Sequence, residues 1–202
     1  MNLIIRRGNS YYEAGKYDSA VIYFRQVLNQ EPDHIDALMG YGNSKLAMIQ
    51  NDSAIVFYDK VLALDDQNLQ ARFQKGRTLY FNKNYDQCIP MLESLVLSDS
   101  GNNEAIQIIG DSFYNQQKYD SALKWYESAY STGYRNTYLC YLMGYIYETK
   151  NNNNKAVTLY KEAIGFDDTI ADLYVRLGTL VSGSEGEGYR AKAASLEAEA
   201  KH

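Results

Sequence analysis

Few side chains in this sequence could carry covalent or acid–base chemistry. Histidine occurs twice, as His34 and His202, and neither belongs to a Cys, Asp or Glu arrangement with metal-site spacing. The adjacent acids Asp65–Asp66 and Asp167–Asp168 are the nearest thing to the paired carboxylates of general acid–base catalysis. They stand in equivalent turns, however, where acids cap a helix and complement its dipole, and that role is favoured over catalysis. Cys88 and Cys140 lie more than a full repeat apart, too far for the roughly 7 Å Cα separation a disulfide needs, so both are expected to serve as small core residues. No glycine-rich phosphate loop follows a strand. The expectation is a non-enzymatic chain with no catalytic, cofactor or metal site. Its chemical resource is instead tyrosine, present 20 times, whose ring and hydroxyl suit recognition.

The elements that position these rings are repeated. Gly8, Gly42, Gly76, Gly110, Gly144 and Gly178 recur at one interval of 34 residues. With glycine at about 7% of ordinary sequence, five further hits at a preset spacing arise by chance roughly once in a million. Ala20, Ala54, Cys88, Ala122 and Ala156 follow twelve places behind the first five. Glycine inside a helix costs about 1 kcal/mol relative to alanine, so six of them require an offset, and close helix–helix approach supplies one. The glycine row is therefore expected to lie against the row of small residues.

The period and the order of residue types resemble the tetratricopeptide repeat. The first copy carries Ile4, Gly8, Tyr11, Ala20, Phe24, Val27 and Pro32; the second, Leu38, Tyr41, Gly42, Ala54, Tyr58 and Val61; the fifth, Met143, Gly144, Tyr147, Ala156, Tyr160 and Ala163. The third departs most, with Lys75, Leu79, Cys88 and Leu92. The resemblance implies an all-α chain, a right-handed superhelical solenoid of antiparallel helix pairs forming one domain over residues 1–202. Its repeats are 1–34, 35–68, 69–102, 103–136 and 137–170, with a degenerate terminal pair at 171–202 as cap. Turns within repeats fall at AGKYD, IQNDS, NKNYD, QQKYD and KNNNN, where Asp or Ser caps the next helix. The glycine-rich SGSEGEG reads as the last turn, with a final helix from about 188 to 201 that places Tyr189, Ala193, Leu196 and Ala200 on one side.

In the family resembled, the first helix of each repeat lines a concave groove. Carried onto this sequence, that wall includes Asn9 and Tyr12; Met39 and Asn43, with Leu46 and Ala47; Phe73, Arg77 and Tyr80, with Phe81; Asp111 and Tyr114; and Tyr138, Tyr141 and Tyr145. The implied function is a scaffold binding a peptide or protein segment against an aromatic surface, with Asn9 and Asn43 holding backbone amides and Arg77 meeting an acidic group. The basic residues that grip chaperone carboxyl-terminal tails are missing, since Ile5, Met39, Gly40, Gln70 and Gln74 occupy their places. Chaperone-tail binding is disfavoured. The rival expectations are a sensory or regulatory module of a larger signalling protein and a carbohydrate or small-ligand groove.

Composition narrows the partners. Net charge is −5, from 20 basic and 25 acidic residues, and no Lys/Arg block occurs, which argues against nucleic acid. No apolar run approaches the ~18 to 20 residues that span a bilayer. The first repeat begins at Met1 without a capping turn, so a signal, an anchor or further repeats are expected upstream; the compartment is cytoplasmic if Met1 is the native start, and periplasmic or membrane-anchored if a signal was removed.

Overall fold

The computed structural model describes residues 2–200; Met1 and His202, named above, lie outside them. Those residues form twelve helices and no strand: α1 (Asn2–Glu13), α2 (Tyr17–Leu28), α3 (Ile35–Ala47), α4 (Asn51–Leu64), α5 (Leu69–Phe81), α6 (Tyr85–Ser98), α7 (Asn103–Asn115), α8 (Tyr119–Ser131), α9 (Thr137–Thr149), α10 (Asn153–Phe166), α11 (Ala171–Leu180) and α12 (Gly183–Glu199). They fall into two compact bodies, one up to Gln116 and one from Gln117 onward. Within each body consecutive helices pack on one another, and in the first the odd-numbered helices also touch in sequence, α1 on α3, α3 on α5 and α5 on α7.

The periodic glycines do make close contacts, but not with the small row. A Cβ on Gly8 would stand 2.8 Å from the Phe24 ring, on Gly42 2.8 Å from Tyr58, on Gly76 2.4 Å from Leu92, and on Gly144 2.7 Å from Tyr160. Each of these partners is sixteen places on and fully buried. The reason is register: in an antiparallel hairpin turning near place 16 of the repeat, place 8 lies across from place 24. A large side chain rests on bare backbone, while Ala20, Ala54, Cys88 and Ala156 fill the fully buried ground nearby.

The turns within repeats share one backbone device. Gly15, Ile49, Lys83, Gln117 and Asn151 all have φ near +60 to +70°. Around Ile49 the bonds are those of a Schellman motif: Ile49 N–H donates to Leu46 O at 2.9 Å and Gln50 N–H to Lys45 O at 2.8 Å. Side-chain caps stand chiefly between repeats, with Asn152 the one found in a within-repeat turn among the described residues. Asn68, Asn102 and Asn136, at equal intervals between repeats, accept from the backbone N–H of Ala71, Ala105 and Leu139 at 2.8–3.0 Å. The acids of the within-repeat turns instead bridge to the next repeat: Asn82 donates to Asp52 at 3.0 Å, Gln116 to Asp86 at 2.9 Å, and Lys150 to Asp120.

The carboxyl end corrects the expected turn. SGSEGEG is not a loop, because α12 begins at Gly183 and runs through it. Glycine is required there by contact: a Cβ on Gly186 would fall 2.0 Å from the Val181 carbonyl oxygen. Gly178 is covered by the aliphatic stem of Arg190, whose guanidinium donates to the Gly178 carbonyl at 2.5 Å. Of the expected apolar face of α12, Ala193 is buried and Leu196 partly so.

Candidate functional site

In the first body the helix spacing of α1, α3 and α5 turns Tyr12, Asn43, Leu46, Arg77 and Phe81 toward one another around a cup of about 540 Å³. Ile49, in the turn after α3, closes its rim and is 85% exposed. Six of the expected wall residues, Tyr12, Asn43, Leu46, Ala47, Arg77 and Phe81, thus meet in one place. Asn43 is fixed from behind: the Tyr58 hydroxyl donates to its Oδ1 at 2.9 Å. Burial holds that hydroxyl protonated far above the usual tyrosine range, so it remains a donor. With its oxygen engaged, Asn43 has its amide NH₂ left to offer. Arg77 supplies the positive charge of the lining. Its guanidinium lies 5.4 Å over the Phe81 ring, and its Nε is 3.8 Å from Glu104, too long for a hydrogen bond. Such a half-exposed pair contributes about 1 kcal/mol or less, and an incoming acid can compete with it.

The other expected residues of this body stand in different surroundings. Met39 is 6% exposed and packs in the core with Ala54, Tyr58 and Val61. Asp111 is 4% exposed; after burial itself, its charge is the next cause that raises the Tyr80 hydroxyl above its ordinary range. The Tyr80 ring tilts against Phe81 and Tyr85. Asn9 is exposed on α1, while Phe73 and Tyr114 are half-buried on α5 and α7.

In the second body Tyr141 and Tyr145 lie under one cation. Arg176 of α11 sits 5.4 Å over the Tyr141 ring and 4.9 Å over Tyr145. It donates to Tyr141 at 3.2 Å, to Asp172 at 2.8 Å and to Glu148 at 3.0 Å. The Tyr141 hydroxyl donates to Asp172 at 2.7 Å, and buried Tyr160 donates to Glu148 at 2.6 Å. Burial alone would raise the Asp172 carboxyl; Tyr141 and Arg176 outweigh it and hold the group below the usual carboxylate range. These rings join α9 to α11, and of the three expected tyrosines Tyr138, 48% exposed, stands furthest into solvent.

Profiles of the tetratricopeptide repeat match residues 2–34, 73–137 and 137–170. The chain belongs to the tetratricopeptide repeat family. Its fold is that of solved MamA structures: an RS-1 double mutant (TM-score 0.78, 17% identity, 83% of this chain and 94% of that one) and MamA from residue 41 of Desulfovibrio magneticus RS-1 (0.77, 17%, 83% and 95%). A further crystal structure of MamA aligns at TM-score 0.73 and 21% identity over 80% of this chain and 94% of that one. At such identity the likeness is one of fold. No curated protein sequence matches the chain. Among the described residues no three His, Cys, Asp or Glu side chains cluster to hold a metal ion, and no helix is long and apolar enough to cross a membrane.

Sequence reasoning missed Ile49 as a rim residue, since its turn read only as a permissive loop. The signal was present: an apolar β-branched residue stands where the other repeats place Gly15, Lys83, Gln117 and Asn151.

Proposed function

We propose that this chain is a non-enzymatic interaction scaffold, and that the cup between α1, α3 and α5 takes an extended segment of another protein bearing an acidic side chain next to an apolar one. The observation that carries this reading is the pairing, in one cup, of the Arg77 charge and the Asn43 amide with a rim of exposed Ile49 and half-exposed Phe81. A protein seldom leaves a β-branched residue both in a left-handed backbone conformation and in water unless something meets it there. Tyr141 and Tyr145, tied to Arg176, contribute less to recognition than their place in the repeat suggests.

A random-sequence peptide array tests the reading. Acidic–apolar peptides should be retained by the native chain and lost with Arg77→Glu, while Tyr141→Ala/Tyr145→Ala keeps most of the binding. No enrichment of such peptides, or equal retention by Arg77→Glu, would refute it.

A further inference from the structure

The second body has a slot on another face of its helices. Glu127 and Tyr130 of α8, Met143 and Tyr147 of α9, and Lys155 and Leu159 of α10 line a shallow depression of about 380 Å³ that is open to solvent. On α9, Met143 and Tyr147 point about 200° round the helix from Tyr141 and Tyr145, so the slot is separate from the first-helix wall.

The repeat itself shows what this seam holds when filled. Three repeats earlier the places of Met143 and Leu159 are occupied by Tyr41 and Phe57, whose rings stack at 4.1 Å with 23° between planes. Arg25 donates to the Tyr41 hydroxyl there at 3.0 Å, and Lys45 lies 5.6 Å over the same ring. In the third repeat Lys75 stands at the place of Tyr41 and bridges the seam to Asp59 of the second at 2.5 Å. In the second body both stacked rings have become flexible, narrower side chains. Two tyrosines have entered at neighbouring places, Tyr130 for Leu28 and Tyr147 for Lys45, but their hydroxyls are tethered. Tyr130 donates to Glu162 at 2.5 Å, with Arg135 4.1 Å over its ring; Tyr147 donates to Glu127 and accepts from Lys155 at 3.1 Å. Neither ring can drop into the gap without giving up a charge-assisted bond.

We propose that this slot receives an aromatic side chain of a partner protein, in the place that Phe57 fills within the chain itself. A ring fits better than an aliphatic group for two reasons. It stacks on the Tyr130 face, and its electron-rich face complements the charge of the Lys155 ammonium, which already lies 4.6 Å over the Tyr147 ring.

The test titrates N-acetyl-phenylalaninamide into the full chain carrying ¹³C-methyl methionine, with N-acetyl-leucinamide as the aliphatic arm. The Met143 methyl resonance should respond to the aromatic probe with an apparent affinity about fivefold tighter than to the aliphatic one. Leu159→Phe, which restores the ring of the earlier repeat, should abolish the response while keeping helicity and thermal midpoint. Tyr130→Leu removes a wall without filling the slot, should weaken the response about fivefold, and decides the matter if Leu159→Phe fails to fold. Arg77→Glu should leave the titration unchanged, which separates this slot from the cup. A flat Met143 signal, equal response to both probes, or an undiminished response in the variants overturns the proposal.

Discussion

Gly144→Ala and Gly165→Ala should change stability in opposite directions, although both replace a helical glycine in the α9–α10 pair. At Gly165 a Cβ would meet nothing within 4 Å, so only helix propensity changes and the variant should gain about 1 kcal/mol. At Gly144 the same gain is opposed. The new Cβ would lie 2.7 and 2.8 Å from Cε1 and Cδ1 of Tyr160, whereas ordinary contact begins near 3.4 Å, so the ring must retreat by more than half an ångström. Tyr160 is fully buried, and its hydroxyl is bonded to Glu148, which is bonded in turn to Arg176. Overpacking of this kind costs about 1–3 kcal/mol, and loosening a hydrogen bond to a charged acceptor adds about 1.5–3 kcal/mol. After the propensity gain the net loss is about 1.5–5 kcal/mol, and the two variants should differ by about 2.5–6 kcal/mol. Urea denaturation followed by circular dichroism at 222 nm measures both. A Gly144→Ala protein as stable as the native chain would refute the idea that the glycine row exists to seat the place-24 side chains.

Two other outcomes follow from the same geometry. Ile49→Gly removes a left-handed strain of about 1–2 kcal/mol at the cost of about 0.5–1 kcal/mol of unfolded-chain entropy, so its denaturation midpoint should rise slightly while acidic–apolar peptide binding falls; a lower midpoint would contradict the strain. Burial raises the Tyr58 hydroxyl, and burial with Glu148 raises that of Tyr160, so each contributes stability that is complete below pH 10 and lost as pH rises beyond it. Cys140, pushed up to about 12 by burial, adds to the same alkaline loss above pH 9. Denaturation midpoints should hold between pH 7 and 9 and fall steeply above 10, and the fall should be shallower in Tyr160→Phe.

The helix pairs were legible in the sequence because glycine at a fixed interval inside apolar helices admits few explanations. What the glycines touch was not legible. Small residues twelve places on suggested small-on-small packing, and only the hairpin register shows that Phe24, Tyr58, Leu92 and Tyr160 lie across from them. The glycine run that opens α12 misled for a related reason: composition reads as a loop, yet Gly186 is glycine because of what lies beside it. At the site, the family resemblance implied that Tyr12, Asn43 and Arg77 share one wall, and the cup brings them together. It gave no warning that Arg176, from the irregular last pair, would lie over Tyr141 and Tyr145. Periodicity describes what repeats share, whereas Arg176 and Ile49 are places where one repeat differs from the rest.

The acids bridged between successive repeats have an implication for how such a chain can be duplicated and rearranged. Each link needs one donor in the turn of a pair (Asn82, Gln116 or Lys150) and one acid at the start of the second helix of the pair before (Asp52, Asp86 or Asp120). The donor differs every time and the acid does not, so a copied pair finds an acceptable neighbour whichever copy it lands beside. Met48 holds the donor's place in the second pair, and its side chain has no N–H or O–H to give to Asp18. Duplication within residues 51–150 therefore preserves the connection, whereas the first junction, with Met48, and the last, where Asn154 holds the acid's place, have no such link to restore.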